Sequence, residues 1–140
     1  MFENIVLAVD GSEHALRAAR QAGELARAMH SEHLWIVVVY DPIPIYLGEP
    51  NLQKAVAAGM EQAESILQMA IDAIGQIPGK ISKEILEGSP AEEIITVANT
   101  RNADLIVMGS RGLGKLAGLV LGSQSQKVVS LAQCPVLIVR

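Results

Sequence analysis

The chain has 140 residues, half of them apolar, with a net charge of −4, one cysteine, one Trp, two Tyr and one Phe. That length suits one domain with a core of Val, Ile, Leu, Ala and Met. The acidic balance excludes general attraction to nucleic acid or an anionic membrane, and a lone cysteine excludes an internal disulfide.

Ile5-Val-Leu-Ala-Val9 is a continuous apolar run, as expected of a strand covered on both faces. Asp10-Gly-Ser12 ends it, and Ser12 is placed to cap the helix that follows. Ala15, Ala19, Ala22, Ala26 and Met29 then recur at helical spacing. His33 to Tyr40 predicts a second buried strand, and Asp41 to Pro50 breaks regular structure with three prolines. Leu52, Val56, Ala63, Leu67, Ala70 and Ile74 predict one face of a long helix. Ile81 to Leu86 is a weaker strand, suited to a sheet edge. Ser89-Pro-Ala-Glu92 predicts a capping box with proline at the first helical position. Leu105 to Met108 is a fourth strand, Ser123-Gln-Ser-Gln126 a second capping box, and Pro135 to Val139 a fifth strand. The alternation βαβαβαβαβ predicts an α/β domain over residues 1–140, a parallel sheet with helices on both faces.

The most informative chemistry lies after the fourth strand. Gly109-Ser-Arg-Gly112, nine residues, then Gly122-Ser123 places glycines at both ends of a loop between a strand tip and a helix N-terminus. Bare backbone N–H groups there can approach an anion, and the helix adds unpaired donors and its dipole. Gly109-x4-Gly114-Lys115 approaches a P-loop, but Leu116 stands where Ser or Thr must hold magnesium. Gly112-x-Gly114-x-x-Ala117 does not directly join a strand to a helix, as a dinucleotide fingerprint must. His14, His30 and His33 form no convincing metal set, Cys134 before Pro135 suits packing, and Lys115 and Lys127 suit a solvated surface.

The full spacing Gly109-x2-Gly112-x9-Gly122-Ser123 resembles the nucleotide loop of the universal stress protein family, in its ATP-binding branch. The opening Ile5-Val-Leu-Ala-Val-Asp-Gly-Ser12, the Gly88-Ser-Pro-Ala91 segment, Ala103-Asp-Leu-Ile-Val-Met-Gly109 and Cys134-Pro-Val-Leu-Ile-Val139 extend the likeness along the chain. The resemblance implies a Rossmann-like, doubly wound five-stranded parallel sheet ordered 3-2-1-4-5. Ala8, Asp10 and the backbone near Val39 would then border adenine and ribose, with Met108 under the nucleoside. Gly109, Arg111 and Gly112 would begin a phosphate wrap that Gly122, Ser123, Gln124 and Ser125 close. Asp10 has a second reading, as the Asp-Gly-Ser turn into the first helix. Gln124 and Gln126 stand where the family often carries an apolar residue and an acid.

The function so implied is a cytoplasmic regulatory or sensing homodimer that binds ATP, with Mg2+ arriving on the phosphates. Dimerisation would run through the C-terminal strand, and another protein would read the liganded surface. A slow ATPase and a nucleotide-free interaction module are the alternatives. No charge pattern or apolar span predicts nucleic-acid binding or membrane insertion.

Overall fold

The computed structural model describes residues 1–42, 46, 48–112 and 121–140. Lys115, Gly114 and the greater part of the Gly112–Gly122 connection lie outside the described residues, as do 43–45 and 47 of the proline segment. In chain order the elements are β1 (Asn4–Ala8), α1 (Glu13–Met29), β2 (His33–Tyr40), α2 (Asn51–Ile74), β3 (Lys80–Glu87), α3 (Pro90–Thr100), β4 (Leu105–Gly109), α4 (Ser123–Leu131) and β5 (Val136–Val139). The strands form one parallel sheet ordered β3-β2-β1-β4-β5. This is the expected doubly wound order, with β1 and β4 adjacent at the point where the winding reverses.

The pleat divides β1 between two cores, which is why its run is apolar without alternation. Ile5 and Leu7 pack with Leu34, Ile36 and Val107 beneath α1 and α2. Val6 and Ala8 pack with Val37, Ile106 and Met108 beneath α3 and α4. The alanines of α1 let it lie close: Ala18, Ala19, Ala22 and Ala26 are fully buried, and a Cβ on Gly23 would collide with the Ile74 carbonyl oxygen. Arg27 ties the same junction by donating to the carbonyls of Ile74 (2.7 Å) and Gln76 (3.1 Å), which satisfies acceptors left over at the end of α2. Two residues of the expected helical faces fall outside: Met29 is exposed at the last position of α1, and Val56 is exposed because α2 meets the core only from Ala63 onward.

Ser12 caps α1 as its position predicts, its Oγ accepting the Ala15 N–H at 3.1 Å. The two expected capping boxes do not form. Ser89 makes no side-chain cap; Gln124 Oε1, from α4, accepts the Ala91 N–H instead at 3.0 Å. At α4 the capping residue is Gly122, one place earlier than expected, and Gln126 donates its amide to the Leu121 carbonyl.

Beyond α3 the sheet face over β2 and β3 is closed by side chains. His33 and Trp35, two apart and so on one face, stack at 3.7 Å, and the Arg101 guanidinium lies 4.3 Å over the Trp35 ring while paired with Glu84. His33 Nε2 and Ser82 Oγ share a hydrogen bond of 2.6 Å. Burial, then the charges of Lys80 and Arg101, hold the His33 pKa below its ordinary value. The unfolded chain therefore binds the proton more tightly, so this contribution to stability is whole at high pH and declines as pH falls below about 6.5, the unperturbed value. Melting curves from pH 7 to 5 should drop less steeply for His33→Gln than for the wild type.

Candidate functional site

Each strand of a parallel α/β sheet delivers the next helix N-terminus to the same edge, and the crevice opens where neighbouring connections part. Here that point lies beyond β1 and β4, and a crevice enclosing about 550 Å³, part of it continuous with solvent, occupies it. Ala8, Asp10, Val39, Met108, Gly109, Arg111, Gly112, Gln124 and Ser125 all line it. Gly122 and Ser123 are not in the lining; they stand behind it at the start of α4.

Three hydrogen bonds fix the tip of β4, one to β5 and two to the start of α4. The Ser110 N–H donates to the Val139 carbonyl of β5 at 2.7 Å, and the Ser110 carbonyl accepts the Gly122 N–H at 2.7 Å. Ser125 Oγ donates to the Gly109 carbonyl at 2.8 Å. The Ser125 hydroxyl and the Gly122 N–H are thus engaged in building the site. The backbone N–H groups of Ser123, Gln124 and Ser125, in the first turn of α4, have no protein acceptor among the described residues. Such a turn is an anion site in waiting, with donors and dipole aligned.

Gly109 is required by proximity rather than by backbone twist, since none of Gly109, Gly112 and Gly122 has a positive φ. A Cβ on Gly109 would meet His14 Cβ at 2.7 Å, His14 C at 2.8 Å and Ala15 N at 3.0 Å. One on Gly112 would stand 2.6 Å from Asp10 Oδ2. Gly122 is different: it has φ −69° and ψ 162°, and a Cβ would make ordinary contacts at 3.4 Å with Arg111 Cα and the Ser110 carbonyl.

The turn reading of Asp10 is seen in one of its two oxygens, and the other faces the crevice. Oδ1 accepts the Ser12 N–H at 2.9 Å, which makes the turn, with Gly11 at φ 88°. Oδ2 is the oxygen beside Gly112 at the crevice. The polar part of the site is accordingly Asp10, Arg111, Gly112 and the start of α4. The apolar part is built by Val37, Val39, Met108 and, from α3, Pro90 and Ile94. Val9, Ala15, Val37, Pro90 and Ile94 also line the crevice and escaped the sequence reading. The signal for α3 was present: Gly88-Ser-Pro-Ala91 begins a helix after a parallel strand, and the winding rule sends that beginning to the crevice edge.

Among the described residues no group of three or more His, Cys, Asp and Glu converges as metal ligands. Cys134 is half-buried against the α3 and α4 core, and burial, with Asp104 nearby, pushes its thiol pKa up, away from the reactive thiolate. No described helix is long and apolar enough to cross a membrane.

A doubly wound sheet with a glycine-cleared crevice at its switch point defines a class of small-ligand-binding α/β domains. Within that class the chain belongs to the universal stress protein family, whose family model matches residues 1–140. It is 49% identical over 140 residues to a universal stress protein of Thermus aquaticus encoded in the QAH/OAS sulfhydrylase 3' region, covering all of both chains. Among solved structures it resembles the universal stress protein UspA from Lactobacillus plantarum, with a TM-score of 0.86 at 26% identity, covering 99% of this chain and 98% of that one. It also resembles a universal stress protein crystallised in complex with cAMP, with a TM-score of 0.72 at 28% identity, covering 99% of this chain and 97% of that one.

Proposed function

We propose that this protein binds ATP in the crevice and acts as a cytoplasmic regulatory homodimer whose liganded surface is read by another protein. The observation that carries the reading is the first turn of α4, whose N–H groups at Ser123, Gln124 and Ser125 lack protein acceptors and adjoin the glycine-cleared tip of β4. Phosphates would sit there, beside Arg111 and Gly112. The base and sugar would lie against Val37, Val39, Met108 and Ile94, with Asp10 Oδ2, which stands beside Gly112, turned to accept from a sugar or base donor rather than to face the phosphates. The related protein that holds cAMP supports an adenine nucleotide as the ligand class. Mg2+ would be held through the phosphates, because no described cluster of side chains supplies its own set.

Regulation is favoured over turnover because Asp10 is the one carboxylate among the described lining residues, and Ser12 already engages one of its oxygens. A hydrolase needs a base free to orient water. The dimer reading rests on β5, whose residues Val136–Val139 are only half-buried and whose outer edge has no strand partner among the described residues. A second copy related by two-fold symmetry would cover it. Sedimentation with ATP present should give a dimer at micromolar concentration; a monomer contradicts that part. Mass spectrometry of nucleotide released from protein purified without added ligand tests the whole. ATP is the expected species, and its absence together with no calorimetric uptake of ATP would overturn the reading.

A further inference from the structure

Gln124 has one end of its side chain fixed by a group that leaves no choice of orientation. The Ala91 N–H can only donate, so the amide corner 3.0 Å from it is the carbonyl oxygen, Oε1. The other corner is then the NH2, which has no protein acceptor among the described residues. Gln124 lines the crevice, and so do Pro90 and Ile94 of the helix it caps. Its amide therefore stands on the α3 side, where Val37, Val39, Met108 and Ile94 form the apolar part, rather than with Asp10, Arg111 and Gly112.

We infer that Gln124 is a ligand-reading residue: Nε2 donates to an acceptor atom of the nucleoside, a ring nitrogen or a sugar oxygen, while Oε1 holds the N-terminus of α3. This rests on the adenylate reading above and adds which side chain recognises which part of the ligand. A free glutamine loses rotamer entropy when ordered. Here the cap has already ordered it, so the donor is presented to the ligand with less entropy left to lose. In an otherwise apolar wall, one oriented donor also penalises any ligand that offers no acceptor opposite it.

Gln124→Glu separates the two roles. The carboxylate has nearly the same shape, still accepts from Ala91 N–H and suits the positive end of α3, but it has no donor. Gln124→Met keeps the length and removes both functions. The probes are adenosine, which is neutral and so insensitive to the new charge as a phosphate would not be, and ATP; both are titrated calorimetrically into the full chain, with melting curves of each unliganded variant. Gln124→Glu should melt at or above the wild type yet bind adenosine about fivefold to tenfold more weakly, the worth of one hydrogen bond. Gln124→Met should melt lower and also bind adenosine more weakly. Adenosine affinity of Gln124→Glu within about twofold of the wild type would reduce the amide to a cap and overturn the inference. So would loss of ATP affinity with adenosine affinity intact, which would make Nε2 a phosphate donor, or a wild type that takes ATP but no adenosine. A wild type that takes neither overturns the adenylate reading itself, and its own titration identifies that failure.

Discussion

Gly109→Ala is expected to cost about 3 kcal/mol, the upper part of the range for overpacking a tight contact, and to lower the melting temperature by roughly 10 °C for a chain of this size. The added methyl would lie within 3.0 Å of three atoms of α1, two of them backbone: His14 C and Ala15 N. Neither side can yield easily. Ala15 N is held by the Ser12 cap, and β4 is paired to β1 on one side and β5 on the other. Any shift that relieved the contact would also move the Gly109 carbonyl from Ser125 Oγ and Ser110 from His14, whose Nδ1 lies 3.1 Å from Ser110 Oγ. Thermal denaturation followed by circular dichroism measures it. A melting temperature within a few degrees of the wild type would mean that β4 and α1 do not approach so closely.

Gly122→Val is expected to leave the fold nearly intact and weaken ATP binding by at least about tenfold, or 1.4 kcal/mol. The backbone at Gly122 is one that any residue adopts, and a bare Cβ would make only ordinary contacts. Alanine should therefore be close to neutral in both stability and affinity. Valine adds two methyls beyond that Cβ, toward the Arg111 backbone and the Gly112 nitrogen, 3.9 Å away from the Cβ position. Those atoms form the near wall of the proposed phosphate site. Parallel calorimetry on the two variants separates the effects: equal ATP affinity in Ala and Val variants would move the phosphates away from Gly112.

Much of the fold was legible because burial leaves a direct imprint on residue type. β1, β2 and β4 lie inside the sheet, are covered on both faces and read as unbroken apolar runs. β3 and β5 lie at the edges, and β3 reads more weakly for that reason. Strand order is another matter: periodicity records how deeply a strand is buried, not which strand lies beside it, so the order 3-2-1-4-5 came only from the family likeness. Local caps were legible and distant ones were not. Ser12 and Ala15 are three residues apart, whereas Gln124 reaches Ala91 across 33 positions and Arg27 reaches Ile74 across 47. Asp104 likewise accepts the N–H groups of Glu3 and Asn4 at the start of β1 across about a hundred positions.

The site was legible as a spacing but not as a set of reasons. The glycines stood out, yet Gly109 clears space for a helix and Gly112 for a carboxylate, and neither purpose is written in the residues beside it. The Ser125 hydroxyl joins α4 to β4 through the Gly109 carbonyl, a partner 16 positions back that no local pattern announces. α3 contributes Pro90 and Ile94 because the sheet order brings its first turn to the crevice, a fact of topology that no local pattern encodes.

The most direct test is a crystal structure of the protein grown with ATP and Mg2+. The account predicts phosphate oxygens within hydrogen-bond distance of the main-chain N–H groups of Gly112 and of Ser123–Ser125, and the adenine against Val39 and Ile94. ATP bound anywhere else, or phosphates that leave the first turn of α4 without a ligand, would contradict it.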